Sequence, residues 1–240
     1  MRYAITFPDS YHANENHYPV VYLLHGAGGD YSNWHKNGKR PGLLPELANT
    51  YDLLIVTPEV GPFSYYYDSP VLDSVRYESY IIKDLIQEID QNYRTIANKS
   101  GRAITGLSMG GHGALMLSAK HPELFFAAGS MSGVMNIDTR EWDIDENRKE
   151  QRFKQQQEML GIINYDAPFS IYTAVGLIER MKENEIPMII DCGTGDFLLG
   201  TNRQMHQLLL EAEVNHDYIE RPGVHNWEYW TNSLPSHFLF

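Results

Sequence analysis

The chain has 240 residues, of which 42% are hydrophobic and 21% are charged, so a sizeable core is expected and a disordered chain is excluded. The formal net charge of −12 argues against a nucleic-acid partner, because binding to phosphates needs a basic surface. Cys192 is the only cysteine, which excludes an intrachain disulfide and a cysteine-based zinc site. We therefore expect a single α/β domain over residues 1–240.

Apolar strand-like segments alternate with amphipathic helical segments along the chain. This order predicts a mostly parallel central sheet with helices on both faces. The predicted strands are, in chain order, one that begins within residues 1–8 and those at 20–24, 53–57, 103–106, 125–130, 187–191 and 218–220.

Two helices are predicted, one before and one after the strand at 103–106. The first runs from about Ser74 to Tyr93, with Asp73 or Ser74 as its N-cap and an apolar stripe at helical spacing. The second follows the 103–106 strand and ends near His121-Pro122, because proline cannot continue a helix.

The alternation breaks down between Val134 and Ile186. This segment holds a charged run at 141–158 and a loop-like stretch at 164–168. Two interpretations stay open, a lid-like insertion over a site and a solvated helical excursion. Long excursions in compact domains are often functional, whereas the charges favour contact with solvent.

The segment from Ile104 to Ala114 reads as a strand, a Gly-x-Ser-x-Gly turn and a helix. This order predicts the nucleophile elbow of an α/β-hydrolase, which lifts the hydroxyl of Ser108 clear of the sheet. Gly106 and Gly110 leave room where side chains would collide in so tight a turn. We therefore predict an α/β-hydrolase fold with an insertion around residues 134–186 and Ser108 as its catalytic nucleophile.

The other members of a catalytic triad follow the serine in the order Asp or Glu, then His, in this fold. Asp196 lies in a glycine-rich loop past the 187–191 strand, and its competitor Asp191 lies at the end of that strand. The loop position favours Asp196. His225 lies in a turn after the 218–220 strand and is the predicted base, so activity should fall on acidification as this imidazole is protonated.

Acyl transfer also needs N–H donors for the oxyanion of the tetrahedral intermediate. The predicted donors are the backbone N–H groups of Met109, after the nucleophile, and of Ala27, in the glycine-rich loop after the 20–24 strand. Trp34 and Tyr67 are predicted to contact substrate, whereas core packing is the favoured interpretation for Trp227 and Trp230. No metal-ligand motif is evident, and no cofactor or metal is expected.

Four segments together resemble the putative esterase (esterase D-like) family: residues 23–34, 106–111, 192–198 and 223–227. That family includes tributyrin and acetyl esterases, feruloyl esterases, S-formylglutathione hydrolases and, more distantly, mycolyltransferases. The resemblance covers nearly the whole chain. It also assigns residues to roles by their positions in these motifs, with Ser108, Asp196 and His225 as the triad, Ala27 and Met109 as oxyanion donors, and 65–70 as a segment near the substrate cleft.

The resemblance implies a serine carboxylesterase that hydrolyses small acyl esters, with acetyl, short-chain or feruloyl groups, including esters on carbohydrate. Three alternatives stay open: a thioesterase of the S-formylglutathione hydrolase type, an acyltransferase with a sugar acceptor, and a non-catalytic binding module. The resemblance also allows a homo-oligomer, because family members often form dimers or tetramers.

The sequence gives two expectations about location. No apolar run approaches the length of a membrane span, so no membrane partner is expected. The first eight residues lack the apolar stretch of a signal peptide, which predicts a cytoplasmic protein as the chain stands. A secreted or periplasmic protein is expected instead if the native N-terminus has been trimmed.

Overall fold

Seven strands form one sheet in residues 1–161 and 170–240, the part of the chain that this computed structural model describes. The strands are β1 (Tyr3–Thr6), β2 (Val20–Leu24), β3 (Leu54–Pro58), β4 (Arg102–Leu107), β5 (Ala127–Met131), β6 (Met188–Gly193) and β7 (Asp217–Arg221). Their order across the sheet is β1-β3-β2-β4-β5-β6-β7. Strand β1 pairs antiparallel with β3, and the other pairs are parallel. The predicted strand bounds agree with these to within two residues, and the predicted α/β-hydrolase architecture is confirmed.

Helices connect the parallel strands and cover both faces of the sheet. They are α1 (Asn33–Asn37), α2 (Leu43–Tyr51), α3 (Tyr77–Ser79, continuing through the π-helical turns of Tyr80–Leu85 to Ile86–Asn92), α4 (Met109–Lys120), α5 (Glu146–Leu160), α6 (Ile178–Asn184), α7 (Leu199–Glu211) and α8 (Trp227–Leu239). Among the described helices, none combines the length and apolarity that crossing a bilayer requires.

Helix α3 begins three residues later than the sequence predicts, and neither Asp73 nor Ser74 caps it. Instead, the carboxylate of Asp68 accepts hydrogen bonds from the N–H and hydroxyl of Ser79, in the first turn of the helix. Asp68 also forms an antiparallel bridge with Arg76, which holds the residues between them in a loop. A capping partner distant in sequence therefore sets the start of this helix.

The two faces of the sheet bury separate sets of apolar side chains, as the alternation along β2 illustrates. Val20, Tyr22 and Leu24 point into the core under α3, α4, α6 and α7, while Val21 and Leu23 point into the core under α2 and α8. Strands buried on both faces are expected to be apolar throughout, as β2 is.

The segment between β5 and β6 contains α5 and α6 and several short 3₁₀ turns. The charged run predicted at 141–158 is largely α5, which buries only Gln156 and Leu160 and exposes most of its polar side chains. The loop predicted at 164–168 lies outside the described residues.

Helix α7 offers a direct test of which face supports the core. Leu209 is completely buried, whereas its neighbour Leu210 is 53% exposed. Leu209→Ala should lower the free energy of unfolding by about 2–5 kcal/mol, because it removes buried methyl groups and leaves a cavity. Leu210→Ala, the matched control, should change it by less than about 0.5 kcal/mol. Urea unfolding monitored by circular dichroism measures both, and equal losses would contradict this packing.

Candidate active site

Ser108 lies on the turn between β4 and α4 in a strained backbone conformation, with φ 53° and ψ −117°. Such conformations cost about 1–3 kcal/mol and persist only where the surrounding structure holds them. Here the Ser108 N–H donates to the carbonyl of Met131 (2.8 Å), and the Ser108 carbonyl accepts from the N–H groups of His112 (3.1 Å) and Val134 (3.3 Å). A Cβ at Gly110 would lie 2.6 Å from the carbonyl oxygen of Leu24, which explains the glycine there.

The structure brings the three predicted triad residues together. Nε2 of His225 lies 2.9 Å from Oγ of Ser108, and Nδ1 of His225 lies 2.8 Å from Oδ2 of Asp196. Asp196 is buried, and its other oxygen accepts the Leu198 N–H at 2.9 Å. This arrangement gives a serine hydroxyl with a base beside it and a carboxylate that orients the base.

Backbone contact between two loops sets the distance between Asp196 and His225. The Gly195 N–H, in the loop after β6, donates to the Gly223 carbonyl, in the loop after β7, at 2.8 Å. A Cβ at Gly193 would lie 2.5 Å from that same carbonyl oxygen, so no other residue permits this approach. The histidine and carboxylate therefore meet because their loops touch through main-chain atoms.

Asp191, the competitor of Asp196, lies elsewhere. It is fully buried in β6, where its carboxylate is 3.3 Å from Nη1 of Arg221 and 3.5 Å from Nε2 of His237. Oγ1 of Thr105 lies 3.0 Å from the other ring nitrogen of His237. Asp191 thus belongs to a largely buried cluster with Arg221 and His237, and the structure shows no contact between it and His225.

The loop that carries Ala27 is fixed by a buried histidine at its start. The Val60 N–H donates to Nε2 of His25 at 3.2 Å, so the proton of the neutral ring is on Nδ1, which donates to the carbonyl of Gly26 at 2.8 Å. Burial lowers the pKa of His25, which favours this neutral form. The His25 carbonyl in turn accepts the hydroxyl proton of Tyr66 at 2.9 Å.

A cleft with a volume of about 580 Å³ opens above Ser108. Ala27 and Met109, the two predicted oxyanion donors, both line it beside Ser108 and His225. Met109 is the first residue of α4, where backbone N–H groups have no acceptor within their own helix. The two residues that carry the predicted donors, one from the loop after β2 and one from α4, therefore line the same space as Ser108.

Trp34 and Tyr67, the predicted substrate contacts, lie in the core rather than along the cleft. Trp34 donates its indole N–H to the carbonyl of Leu24, at the end of β2. Tyr67 is fully buried and stacks on Tyr65, which lines the cleft in its place. The cause is local backbone geometry: Tyr65 and Tyr66 both have positive φ (49° and 64°), so the alternation of side-chain directions in this tract cannot be read from the sequence.

Trp227 and Trp230 pack in the core under α2 and α8, as favoured from the sequence, and they also line the cleft. The ring of Trp230 stands edge-on to that of His225 with 4.9 Å between centroids, and the centroid of the Phe197 ring lies 4.5 Å from that of the imidazole. Both residues lie within five positions of a predicted triad member. That proximity was the one sequence signal that could have placed them at the site.

The segment between β5 and β6 also reaches the cleft. It contributes, from α5 and the stretch before it, Trp142, Ile144, Arg148, Gln151 and Arg152. The exposed charged helix and one wall of the site are thus the same element, which agrees with the solvated helix, whereas the lid-like insertion stays a prediction. In residues 1–161 and 170–240, no three His, Cys, Asp or Glu side chains form a cluster suited to a metal ion.

The fold defines the class of this protein, which is an α/β-hydrolase, and Ser108 lies at the turn where the sequence predicts the nucleophile. A family model described as putative esterase matches residues 1–240, and the chain belongs to that family.

Several named relatives of this chain are esterases. It is 37% identical over 138 residues to an esterase of Mycobacterium tuberculosis, a match that covers 55% of this chain and 29% of that protein. It is 26% identical over 231 residues to an acetyl esterase of Caldicellulosiruptor saccharolyticus, covering 91% of this chain and 81% of the relative. The solved structure of a ferulic acid esterase has a TM-score of 0.80 and 28% identity, covering 98% of this chain and 89% of the other. The chain is thus similar to proteins that are named for ester hydrolysis, and it spans less than a third of the first of them.

The two aspartates near the site permit a matched test. Asp196→Asn should lower kcat by about 10⁴-fold, because an amide leaves the imidazole in the wrong tautomer and no longer stabilises its protonated form. Asp191→Asn, the same chemical change in the buried cluster, should lower stability with a far smaller effect on kcat. Steady-state kinetics beside urea unfolding separates the two. A larger loss of kcat in Asp191→Asn than in Asp196→Asn would contradict the assignment of Asp196 as the carboxylate that orients His225.

His112 lies one turn into α4 from Ser108, and we expect it to make the free energy of unfolding fall as the pH is lowered. Its ring is fully buried between the carbonyls of Tyr65 (3.1 Å) and Tyr172 (3.0 Å), and burial lowers its pKa to about 4. An unfolded histidine has a pKa of about 6.5, so between these pH values the unfolded state binds more protons and stability falls as the pH drops. This one group contributes a loss on the order of 3 kcal/mol.

His112→Gln should therefore flatten the dependence of the free energy of unfolding on pH between about 6.5 and 4. Urea unfolding at several pH values in that window measures the slope. The exposed residue His17 supplies the control, since His17→Gln should leave the slope unchanged. An unaltered slope in His112→Gln would show that another group causes the acid sensitivity.

Proposed function

We propose that this protein is a serine carboxylic ester hydrolase that cleaves small acyl esters through an acyl-enzyme intermediate. The observation that carries the proposal is the contact of Ser108 Oγ with His225 Nε2 at 2.9 Å, with Asp196 2.8 Å from the opposite ring nitrogen. This chain of contacts opens onto a cleft large enough for an ester substrate.

In the first half of the reaction, Ser108 Oγ attacks the ester carbonyl while its proton moves to Nε2 of His225. Asp196 holds the proton on Nδ1 and stabilises the imidazolium that forms. The N–H groups of Ala27 and Met109 bind the oxyanion of the tetrahedral intermediate. His225 then gives its proton to the leaving alcohol, and an acyl group remains on Ser108.

In the second half, water takes the place of the alcohol. His225 removes a proton from the water, the resulting attack on the acyl carbon forms a second tetrahedral intermediate, and collapse returns the proton to Ser108 Oγ. A neutral His225 is needed at the start of each half. Activity should consequently fall as the pH is lowered and this ring is protonated.

The proposed substrates are acetyl, short-chain and feruloyl esters, including those on carbohydrate. Similarity to an acetyl esterase and to a ferulic acid esterase supports these acyl groups. The cleft supports them as well, because the rings of Tyr65, Trp142, Phe197 and Trp227 line it and aromatic faces bind phenolic and sugar rings.

A p-nitrophenyl ester series from acetate to octanoate, with methyl ferulate added, tests the proposal. Ser108→Ala should lower kcat by about 10⁶-fold, because the nucleophile is removed while the fold is kept. Ser74→Ala, at an exposed loop serine, should match the wild type. A fluorophosphonate probe should label the wild type and the control but not Ser108→Ala.

The outcomes separate the competing activities. Hydrolysis that depends on Ser108 supports the proposal. The dependence of its rate on acyl-chain length then measures the size of the acyl pocket. Faster turnover of S-formylglutathione than of any ester would replace it with a thioesterase, and product that forms only with an added sugar acceptor would replace it with an acyltransferase. Failure of the probe to label folded protein would indicate a binding module instead.

A further inference from the structure

The cleft is positively charged in a strongly negative chain. The sequence contains 31 acidic and 19 basic residues. Within the described ranges, however, the residues that line the cleft include two arginines, Arg148 and Arg152, and no aspartate or glutamate. Walls of low dielectric concentrate the field of such charges inside a cleft, so an anionic group gains more there than on the open surface.

Arg152 is held in place without a carboxylate partner. Its guanidinium lies over the ring of Phe63, 4.4 Å from the centroid, and its Nη1 donates to Oε1 of Gln155 at 2.9 Å. No acidic side chain among residues 1–161 and 170–240 lies within ion-pair distance of it. A guanidinium has five N–H donors, so most remain for a ligand.

Arg148 lies one turn earlier on α5, and residues four apart share one face of a helix. Its only described acidic partner is Asp145, with Oδ2 3.7 Å from Nε, and both side chains are largely exposed. Pairs of this kind are weak, and they leave much of the positive charge available. The uncharged side chain of Gln151 also lines the cleft on this helix.

The mechanism above gives these charges no task, because acetyl and feruloyl esters are neutral around the scissile bond. An arginine that is held by an aromatic ring and an amide, and that lines the same cleft as Ser108, suits planar, bidentate binding of a carboxylate. We infer that Arg152, with Arg148 beside it, binds a carboxylate carried by the acyl or the alcohol part of the ester, which makes anionic esters preferred substrates. This inference rests on the proposed esterase function.

Matched ester pairs that differ in one charge test the inference. 3-Acetoxybenzoate and its methyl ester place the charge on the leaving alcohol. The 4-nitrophenyl monoester of adipic acid and its methyl ester place it on the acyl chain. For each pair the readout is the ratio of kcat/KM for the anionic ester to that for the neutral one, which identifies the side of the substrate that carries the charge.

Wild-type protein should prefer the anionic member of at least one pair, and the preference should shrink as salt is added. Arg152→Gln should lower that ratio about tenfold or more, mainly through KM, because hydrogen bonds to charged groups exceed a tenfold effect. Arg148→Gln should lower it less, and Arg152→Lys should retain part of it by keeping the charge. Arg180→Gln, at an exposed position of α6 away from the cleft, makes the same change in net charge and should leave the ratio unchanged.

Equal ratios in wild type and Arg152→Gln, or equal losses in Arg152→Gln and Arg180→Gln, would overturn the inference while Ser108-dependent hydrolysis still supports the esterase. If no ester is hydrolysed in a Ser108-dependent way, the esterase proposal fails separately. Calorimetry then tests binding alone, with 3-acetoxybenzoate and its methyl ester titrated into Ser108→Ala with and without Arg152→Gln. Tighter binding of the anion that Arg152→Gln abolishes supports the inference, and its absence contradicts it.

Discussion

The site depends on the approach of two loops through their main chains. Ser108 follows β4, whereas Asp196 and His225 follow β6 and β7, at the far side of the sheet. The carboxyl ends of these parallel strands share one edge of the sheet, but strand order alone does not fix the distance between the imidazole of His225 and the carboxylate of Asp196. The hydrogen bond from Gly195 to Gly223 removes that freedom, and it can form only because Gly193 has no side chain.

Main-chain hydrogen bonds connect β6 to the strained turn through the end of β5. The backbone N–H of Ser132 donates to the carbonyl of Asp191 at 2.7 Å, one residue beyond the Met131 carbonyl that holds the Ser108 N–H. The side chain of Asp191 is in turn paired with Arg221 and His237, from β7 and α8. The main chain of β6 thus joins the end of β5, which in turn holds the N–H of the nucleophile, and the side chain of Asp191 contacts neither Ser108 nor His225.

Sequence alone predicted what depends on local pattern and chain order. Apolar strands, the Gly-x-Ser-x-Gly turn and the order of Ser108, Asp196 and His225 are features of this kind, and the structure brings those three residues together. The start of α3 and the surroundings of Trp34 and Tyr67 were predicted wrongly because they depend on partners distant in sequence and on positive φ angles. The arginines of α5 fall in the charged run for which two interpretations stayed open, because nothing local indicates which side of the helix meets the cleft.

The placement of the tryptophans gives the molecule an internal optical reporter. The sequence has four of them. Trp142, Trp227 and Trp230 line the cleft, and Trp34 packs edge-on against Trp227 at 5.2 Å. Ultraviolet emission from this protein therefore originates almost wholly at the substrate cleft. Occupancy of the cleft can be followed by fluorescence without a label, at a wavelength to which the rest of the fold contributes little.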